Sequence, residues 1–261
     1  MQKWGKSTDE PADSIPPSEW QAHFQKLLNS KCETPPERLN ELNELENEVH
    51  FSELDERISN NEISNAFKKL NLKSSVGPDL VSGKLMHSGR NVLLPLLCIF
   101  YNRIFELAKQ PKEFANNFLV SIPKKGDLWD LDNYRGIAIG SALAKLYCLI
   151  LLNRLEERAT VRPISPNQIG FEKGHRTADH VFVLTTVVNK ILKIEKKRLF
   201  VAFIDFRKAY DKVNRNLLLL KLQRRGIKGQ FYKNIKAIYS NISYTIKVKG
   251  GYLNPIPSTW G

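Results

Sequence analysis

Asp205 stands near the far end of residues 199–206, a run that is otherwise apolar and has no other charge. An acidic group at the mouth of an apolar segment must be ionised in contact with water, neutralised, or held by a cation. Arg207, Lys208 and Lys212 surround it, and Tyr210 follows five positions on. Taken alone, a carboxylate so placed is usually a helix cap or loop anchor, and the cationic neighbourhood is what sharpens it. A second constellation lies upstream, in Ile122-Pro-Lys-Lys-Gly-Asp127 and Asn133-Tyr-Arg-Gly136. Lys124 and Lys125 beside a glycine, with Arg135 on the returning segment, can converge on a triphosphate, the lysines as point charges and the arginine through a bidentate fork. The plainer reading is a solvated basic loop.

The elements that must carry these groups follow from periodicity. Phe118-Leu-Val-Ser-Ile122 and Tyr134-Arg-Gly-Ile-Ala-Ile139 are β-prone runs joined by a polar, glycine-containing loop, which predicts a hairpin with a basic tip. Residues 199–206 are the strongest strand candidate, apolar on both faces, with Val201, Phe203 and Asp205 on one side. Around them the pattern is helical. Trp20, Phe24, Leu27 and Leu28 share one face of a short helix capped by Ser18, and Ile63, Phe67 and Leu70 share one face of a helix from Asn60 or Asn61. Residues 92–108 are too densely apolar for a single stripe and predict a buried helix started or kinked by Pro95. Further helices are expected over 141–159, 179–194, 217–222 (capped by Asn214 and closed by Gly226) and 230–239, with a strand over 244–249. The first 50 residues are acidic, punctuated by Pro11, Pro16, Pro17, Pro35 and Pro36, and read as a tether holding one short helix.

The chain has 261 residues, enough for one or two domains with a buried core. Three widely spaced cysteines, Cys32, Cys98 and Cys148, form neither a disulfide framework nor a zinc pattern, which points to a reducing compartment. The longest apolar run, over 92–100, contains Pro95 and is about half the ~18 residues a membrane span requires. No membrane partner is expected, and the first ten residues have no apolar segment of the kind that directs secretion. Charge discriminates further. Against a net charge of +13, residues 1–60 hold 6 basic and 13 acidic side chains, while the remainder hold 34 and 14, or +20. That density suits a polyanion such as nucleic acid.

The ordered set Ser74-Ser-Val-Gly-Pro-Asp79, Ile122-Pro-Lys-Lys-Gly-Asp127, Asn133-Tyr-Arg-Gly-Ile-Ala-Ile139, Asn167-Gln-Ile-Gly-Phe171 and Phe203-Ile-Asp-Phe-Arg-Lys-Ala-Tyr-Asp211 resembles the reverse transcriptase of non-LTR (LINE-type) retrotransposons. The resemblance implies an α+β, right-hand polymerase fold: a tether over 1–50, fingers over 51–198, and the start of the palm over 199–261. It implies RNA-directed DNA polymerisation, with an RNA template, a DNA primer or target and deoxynucleoside triphosphates as partners, and a nuclear site of action. By the same resemblance Asp205 matches the first catalytic aspartate, a ligand of two Mg2+ ions, with the backbone carbonyl of Phe206 completing one coordination shell. Ala209 would offer its N–H to the triphosphate, and Tyr210 would be the steric gate against a ribose 2′-hydroxyl, its alternative role being core packing. Arg135 and either Lys124 or Lys125 would bind the triphosphate.

Departures from the family pattern carry expectations too. Gly170-Phe-Glu-Lys-Gly-His-Arg-Thr177 has Glu172 and His175 where basic residues are common, and Leu80 stands where glycine is common. Relatives continue past a Trp-Gly like Trp260-Gly261 into a Gln-Gly motif and a hairpin with two adjacent aspartates, and this sequence has no Asp-Asp pair. The expectation is a piece truncated before that hairpin and the thumb, inactive on its own, with the strand over 199–206 left as an open apolar sheet edge. Two rival readings are a non-enzymatic basic nucleic-acid-binding protein derived from such an element, which would need neither Asp205 nor Tyr210, and a maturase-like or domesticated reverse transcriptase.

Overall fold

The computed structural model describes residues 11–29, 33–46, 53–161, 165, 167–171 and 174–261. Two compact units divide the chain: residues 1–153 with 208–261, and residues 154–207.

The larger unit is built on a mixed five-stranded sheet. β1 (Asn116–Pro123) and β2 (Tyr134–Ile139) form the expected antiparallel hairpin, with Ile122 opposite Arg135 and Pro123 opposite Tyr134. β1 also pairs in parallel with β3 (Ser243–Val248), and the short β4 (Gly251–Tyr252) and β5 (Ile256–Pro257) add to β3 antiparallel.

Three helices, not one, fall in the proline-punctuated N-terminal stretch: α1 (Pro11–Ser14), α2 (Pro17–Leu28) and α3 (Pro36–Glu46). α2 begins one residue before the expected cap. Pro16 is its N-cap and Pro17 fills the first turn, where the missing N–H removes no helical bond, so Ser18 makes no cap. Its apolar face packs on the sheet: Trp20, Phe24 and Leu28 are buried with Leu119, Tyr134, Ile246 and Ile256. Trp20 meets Tyr134 edge-on, ring centroids 4.9 Å apart. Gly136 makes room for Phe24 and Leu119 beside the hairpin, because a Cβ there would stand 3.0 Å from Phe24 Cε1 and 3.0 Å from Leu119 Cδ1. The end of α2 is held by the last residues of the chain, Thr259 and Trp260 donating their N–H groups to Leu28 O at 3.2 Å each.

Helices supply the second core of this unit. α4 (Asn60–Lys69) opens with a reciprocal capping box: Ser59 Oγ accepts from Glu62 N at 3.3 Å and Glu62 Oε2 accepts from Ser59 N at 2.8 Å. The short α5 (Gly83–Ser88) leads into α6 (Arg90–Leu107), which starts five residues before Pro95 and runs through it. It is not buried all round as expected: Leu97, Tyr101, Ile104 and Phe105 face the core, but Val92, Leu96 and Ile99 are 78%, 62% and 70% exposed. Helix α7 (Lys112–Ala115) leads into β1, and α8 (Ala142–Val161) follows β2. α8 buries Leu146, Tyr147, Ile150 and Leu151, and Tyr147 donates its hydroxyl to Asn234 Oδ1 at 2.7 Å. Burial of Cys148 pushes its thiol up to about 11, so it is an inert core thiol. Cys32 lies outside the described residues.

In the smaller unit α9 (Thr177–Asn189) continues into a single π-helical turn over Lys190–Ile194, close to the expected span. Residues 199–206 are not a strand. They carry no regular structure, and Phe200, Phe203, Ile204 and Phe206 are 89%, 83%, 84% and 79% exposed. An apolar run becomes a strand only when a neighbour accepts its backbone hydrogen bonds, and none of the described ladders includes these residues.

In the larger unit again, α10 (Arg215–Arg224) starts as expected at Asn214, whose Oδ1 accepts from Leu217 N at 3.1 Å, and is closed by Gly226 at φ +78°. α11 (Gly229–Ile238) follows, close to the predicted helix. No described helix is long and apolar enough to cross a membrane.

Candidate functional site

The hairpin tip is a self-bonded loop. Lys124 N donates to Asn133 O at 2.8 Å, Asn133 Nδ2 to Asp127 O at 2.8 Å, and Tyr134 Oη to Leu128 O at 2.8 Å. Asp127 and Asp130 each accept an amide two residues on, from Trp129 and Asp132, at 2.9 Å each. Gly126 takes φ +130°, a conformation L side chains rarely adopt, and a Cβ there would lie 3.1 Å from Asn133 Nδ2. These bonds fix where the cations emerge. Lys124 is half-buried and its Nζ reaches Asp132 O at 3.3 Å, whereas Lys125 and Arg135 are exposed.

A turn over residues 208–212 meets this tip. Lys208 sits in the left-handed region at φ +53°, its side chain is only 8% exposed, and its Nζ pairs with Asp132 Oδ1 at 2.8 Å. A lysine on a strained backbone with its side chain largely covered persists only when its surroundings enforce it. Asp211 is half-buried, and burial holds its carboxyl above the usual carboxylate range against the opposing pull of Lys208 and Lys124. His23, from α2, faces the same group: burial lowers its imidazole below the ordinary value, Lys208 lowers it further, and Asp132 and Asp130 oppose.

The chain beyond this turn is tied down by Arg215, whose guanidinium donates to the backbone oxygens of Tyr239, Ser258, Trp260 and Gly261 at 2.7–3.1 Å and to Ser258 Oγ at 3.0 Å. Gly261 N closes the turn by donating to Val213 O at 3.2 Å.

The structure therefore joins two motifs read separately from the sequence, through Asp132 and Lys208. Of the residues expected to act, Lys124 lies in this joined group, with Ala209 and Tyr210 exposed on the turn next to Lys208. Tyr210 is 71% exposed, so core packing is not its role. Asp205 and Phe206 belong to the smaller unit and are exposed. Asp132 and His23 were not singled out from the sequence. Asp132 is one of three aspartates, with Asp127 and Asp130, in the loop over 127–133 with nothing to distinguish it, and His23 on an amphipathic helix carries no motif.

Leu80 takes φ +57° in the turn that follows Gly77, which is the physical reason glycine suits that place. Glu172 lies outside the described residues, and His175 is an exposed side chain with Nδ1 3.9 Å from Asp179 Oδ2.

The described residues do not fit a two-ion metal centre. No group of three histidine, cysteine, aspartate or glutamate side chains among them could hold a metal ion. Asp205 is the one carboxylate of residues 199–206, too few protein oxygens to fix even one hard cation.

A basic hairpin at one end of a mixed sheet thus meets the Lys-Ala-Tyr-Asp turn over 208–211 through the Lys208–Asp132 pair. The profile of the reverse transcriptase (RNA-dependent DNA polymerase) family matches residues 122–256, and the chain belongs to that family. It is 29% identical over 196 residues, 74% of this chain, to the probable RNA-directed DNA polymerase from transposon BS of Drosophila melanogaster. It is 30% identical over 193 residues, 72% of this chain, to the RNA-directed DNA polymerase from mobile element jockey of the same organism. Over 130 residues, 50% of this chain, it is 34% identical to the Pol polyprotein from type-1 retrotransposable element R2 of Popillia japonica. These matches bear out the resemblance to non-LTR, LINE-type elements read from the motifs. The matches cover 21% of the length of each of the first two relatives and 18% of the third, so the chain spans about a fifth of the curated relatives it matches.

Proposed function

We propose that the chain supplies the fingers and the first part of the palm of an RNA-directed DNA polymerase of a non-LTR retrotransposon, acting in the nucleus on an RNA template, a DNA primer or target, and deoxynucleoside triphosphates. Residues 51–198 are the fingers and 199–261 the start of the palm. Lys124 or Lys125 and Arg135 neutralise the triphosphate, the arginine through two parallel N–H donors. The N–H of Ala209 donates to the same phosphates, and the ring of Tyr210 occupies the space beside the sugar that a 2′-hydroxyl needs. Asp205 is the carboxylate toward the primer 3′-hydroxyl, and the family's use of divalent ions makes it, with the carbonyl of Phe206, the candidate Mg2+ ligand of this chain.

The observation that carries this reading is the Lys208–Asp132 pair at 2.8 Å, which couples the Ala209–Tyr210 turn to the basic hairpin across 76 residues of sequence. A phosphate held by the hairpin and a sugar checked by Tyr210 need that coupling.

The test is nucleotide binding by the 261-residue chain, followed through the fluorescence of Trp129, which is 63% exposed on the hairpin loop. Arg135→Ala is expected to weaken dTTP binding by roughly tenfold or more, the worth of charge-assisted hydrogen bonds, and Tyr210→Ala to erase the preference for dTTP over UTP. Equal dTTP affinity in Arg135→Ala and the unaltered chain would contradict the proposal. A chain that binds RNA unchanged after Asp205→Ala but takes no dTTP would favour the non-enzymatic reading.

A further inference from the structure

A second basic site lies at the other end of β1. The turn between α6 and α7 faces α11 across a pocket of about 510 Å3. Its lining includes Lys109, Lys112, Lys233 and Lys236 together with Gln110 and Ser240. Lys233 and Lys236, three positions apart on α11, share one face of that helix.

Lys236 is neutralised, its Nζ 2.6 Å from Glu46 Oε2. Lys109, Lys112 and Lys233 pair with no carboxylate among the described residues, and all three are exposed. Three unpaired ammonium groups around one concavity repel each other unless an anion sits between them. Gln110 adds an independent sign. Its side-chain nitrogen is buried and has no acceptor, and a buried donor without a partner is unfavourable until a ligand oxygen accepts from it.

This is not the hairpin site. Ala115, at the pocket, and Lys124, at the hairpin tip, flank β1, and at about 3.3 Å per strand residue they stand roughly 25 Å or more apart. We propose that this pocket binds the phosphodiester backbone of single-stranded RNA, holding template at a distance from the nucleotide. The ligand class follows from charge: several spaced cations with one buried amide match a run of phosphate oxygens without reading base edges. That class rests on the nucleic-acid reading above, whereas the location does not.

The test uses the full 261-residue chain and a 20-nucleotide oligouridylate, with affinity measured over a range of KCl. For Lys109→Gln, Lys112→Gln and Lys233→Gln combined, the affinity is expected to fall at least tenfold at low salt. The slope of log affinity against log salt should lose about 2, the value for three phosphate contacts on a single strand at about 0.7 each. Oligouridylate containing 4-thiouridine should crosslink within residues 108–115 and 233–241. The same triple variant should bind dTTP as the unaltered chain does, because the hairpin is untouched. Unaltered affinity and salt slope in the triple variant, with crosslinks confined to other residues, would overturn the proposal. If the unaltered chain binds no oligouridylate at any salt, the pocket proposal also falls, while dTTP binding continues to decide the hairpin reading separately.

Discussion

The hairpin of β1 and β2 and the run over 199–206 form an instructive pair. Both were read as β structure, and the second is the more apolar. The hairpin forms because each strand has a partner: six residue pairs join β1 to β2, and β3 takes the other edge of β1 from Asn116 to Val120. α2 then covers the hairpin, with Phe24 and Trp20 against Gly136 and Tyr134. Residues 199–206 have apolar side chains in abundance and no described ladder, and they stay irregular and exposed. Apolar content decides which segments gain from burial, and pairing decides which of them become strands.

Mutation makes that contrast quantitative. Phe24 is 1% exposed at the centre of the sheet core, so Phe24→Ala is expected to lower unfolding stability by about 3–5 kcal/mol in urea titration. Phe203 is 83% exposed, and Phe203→Ala should change stability by about 0.5 kcal/mol or less. Equal losses at the two positions would erase the distinction between the regions.

Arg215→Met removes a half-buried donor from four backbone oxygens at once, and a loss of about 2–3 kcal/mol is expected in the same titration. Leu80→Gly works in the opposite direction. Releasing a left-handed leucine that is 80% exposed should leave the chain as stable or up to about 1 kcal/mol more stable, because the relief of backbone strain outweighs glycine's greater unfolded freedom.

The smallest effect is a pH dependence at α2. The folded value of His23 lies below its ordinary 6.5 because burial, and then Lys208, disfavour the imidazolium. On acidification the unfolded chain takes up this proton first, so the stability it contributes is full above about pH 6.5 and is lost as pH falls through the lowered folded value. His23→Gln should flatten the stability profile in that window, and an unchanged profile would place the titration elsewhere.

Much of the fold was legible in the sequence because its signals are local. The Asn214 cap, the helical periodicity of Ile63, Phe67 and Leu70, and the glycine-turned hairpin each depend on residues a few positions apart. What was not legible is long-range. The parallel pairing of β1 with β3 joins residues separated by more than a hundred positions, and nothing in either run specifies the other. The prolines of the first 50 residues resemble a linker's, and only the covered face of α2 distinguishes a docked helix from a tether. Around the hairpin, the motif residues Lys124, Lys125, Arg135 and Tyr210 stand out by type and order. Asp132 became visible only through its partner Lys208, and His23 only through the burial of its helix.

The most direct test is native-state hydrogen exchange across the two compared regions. Protected amides over 117–121 and 244–247, with fast exchange over 200–206, are the result expected if pairing and not apolar content sets the sheet. Protection over 200–206 equal to that of β1 would contradict it, and would put the strand carrying Asp205 back into the sheet.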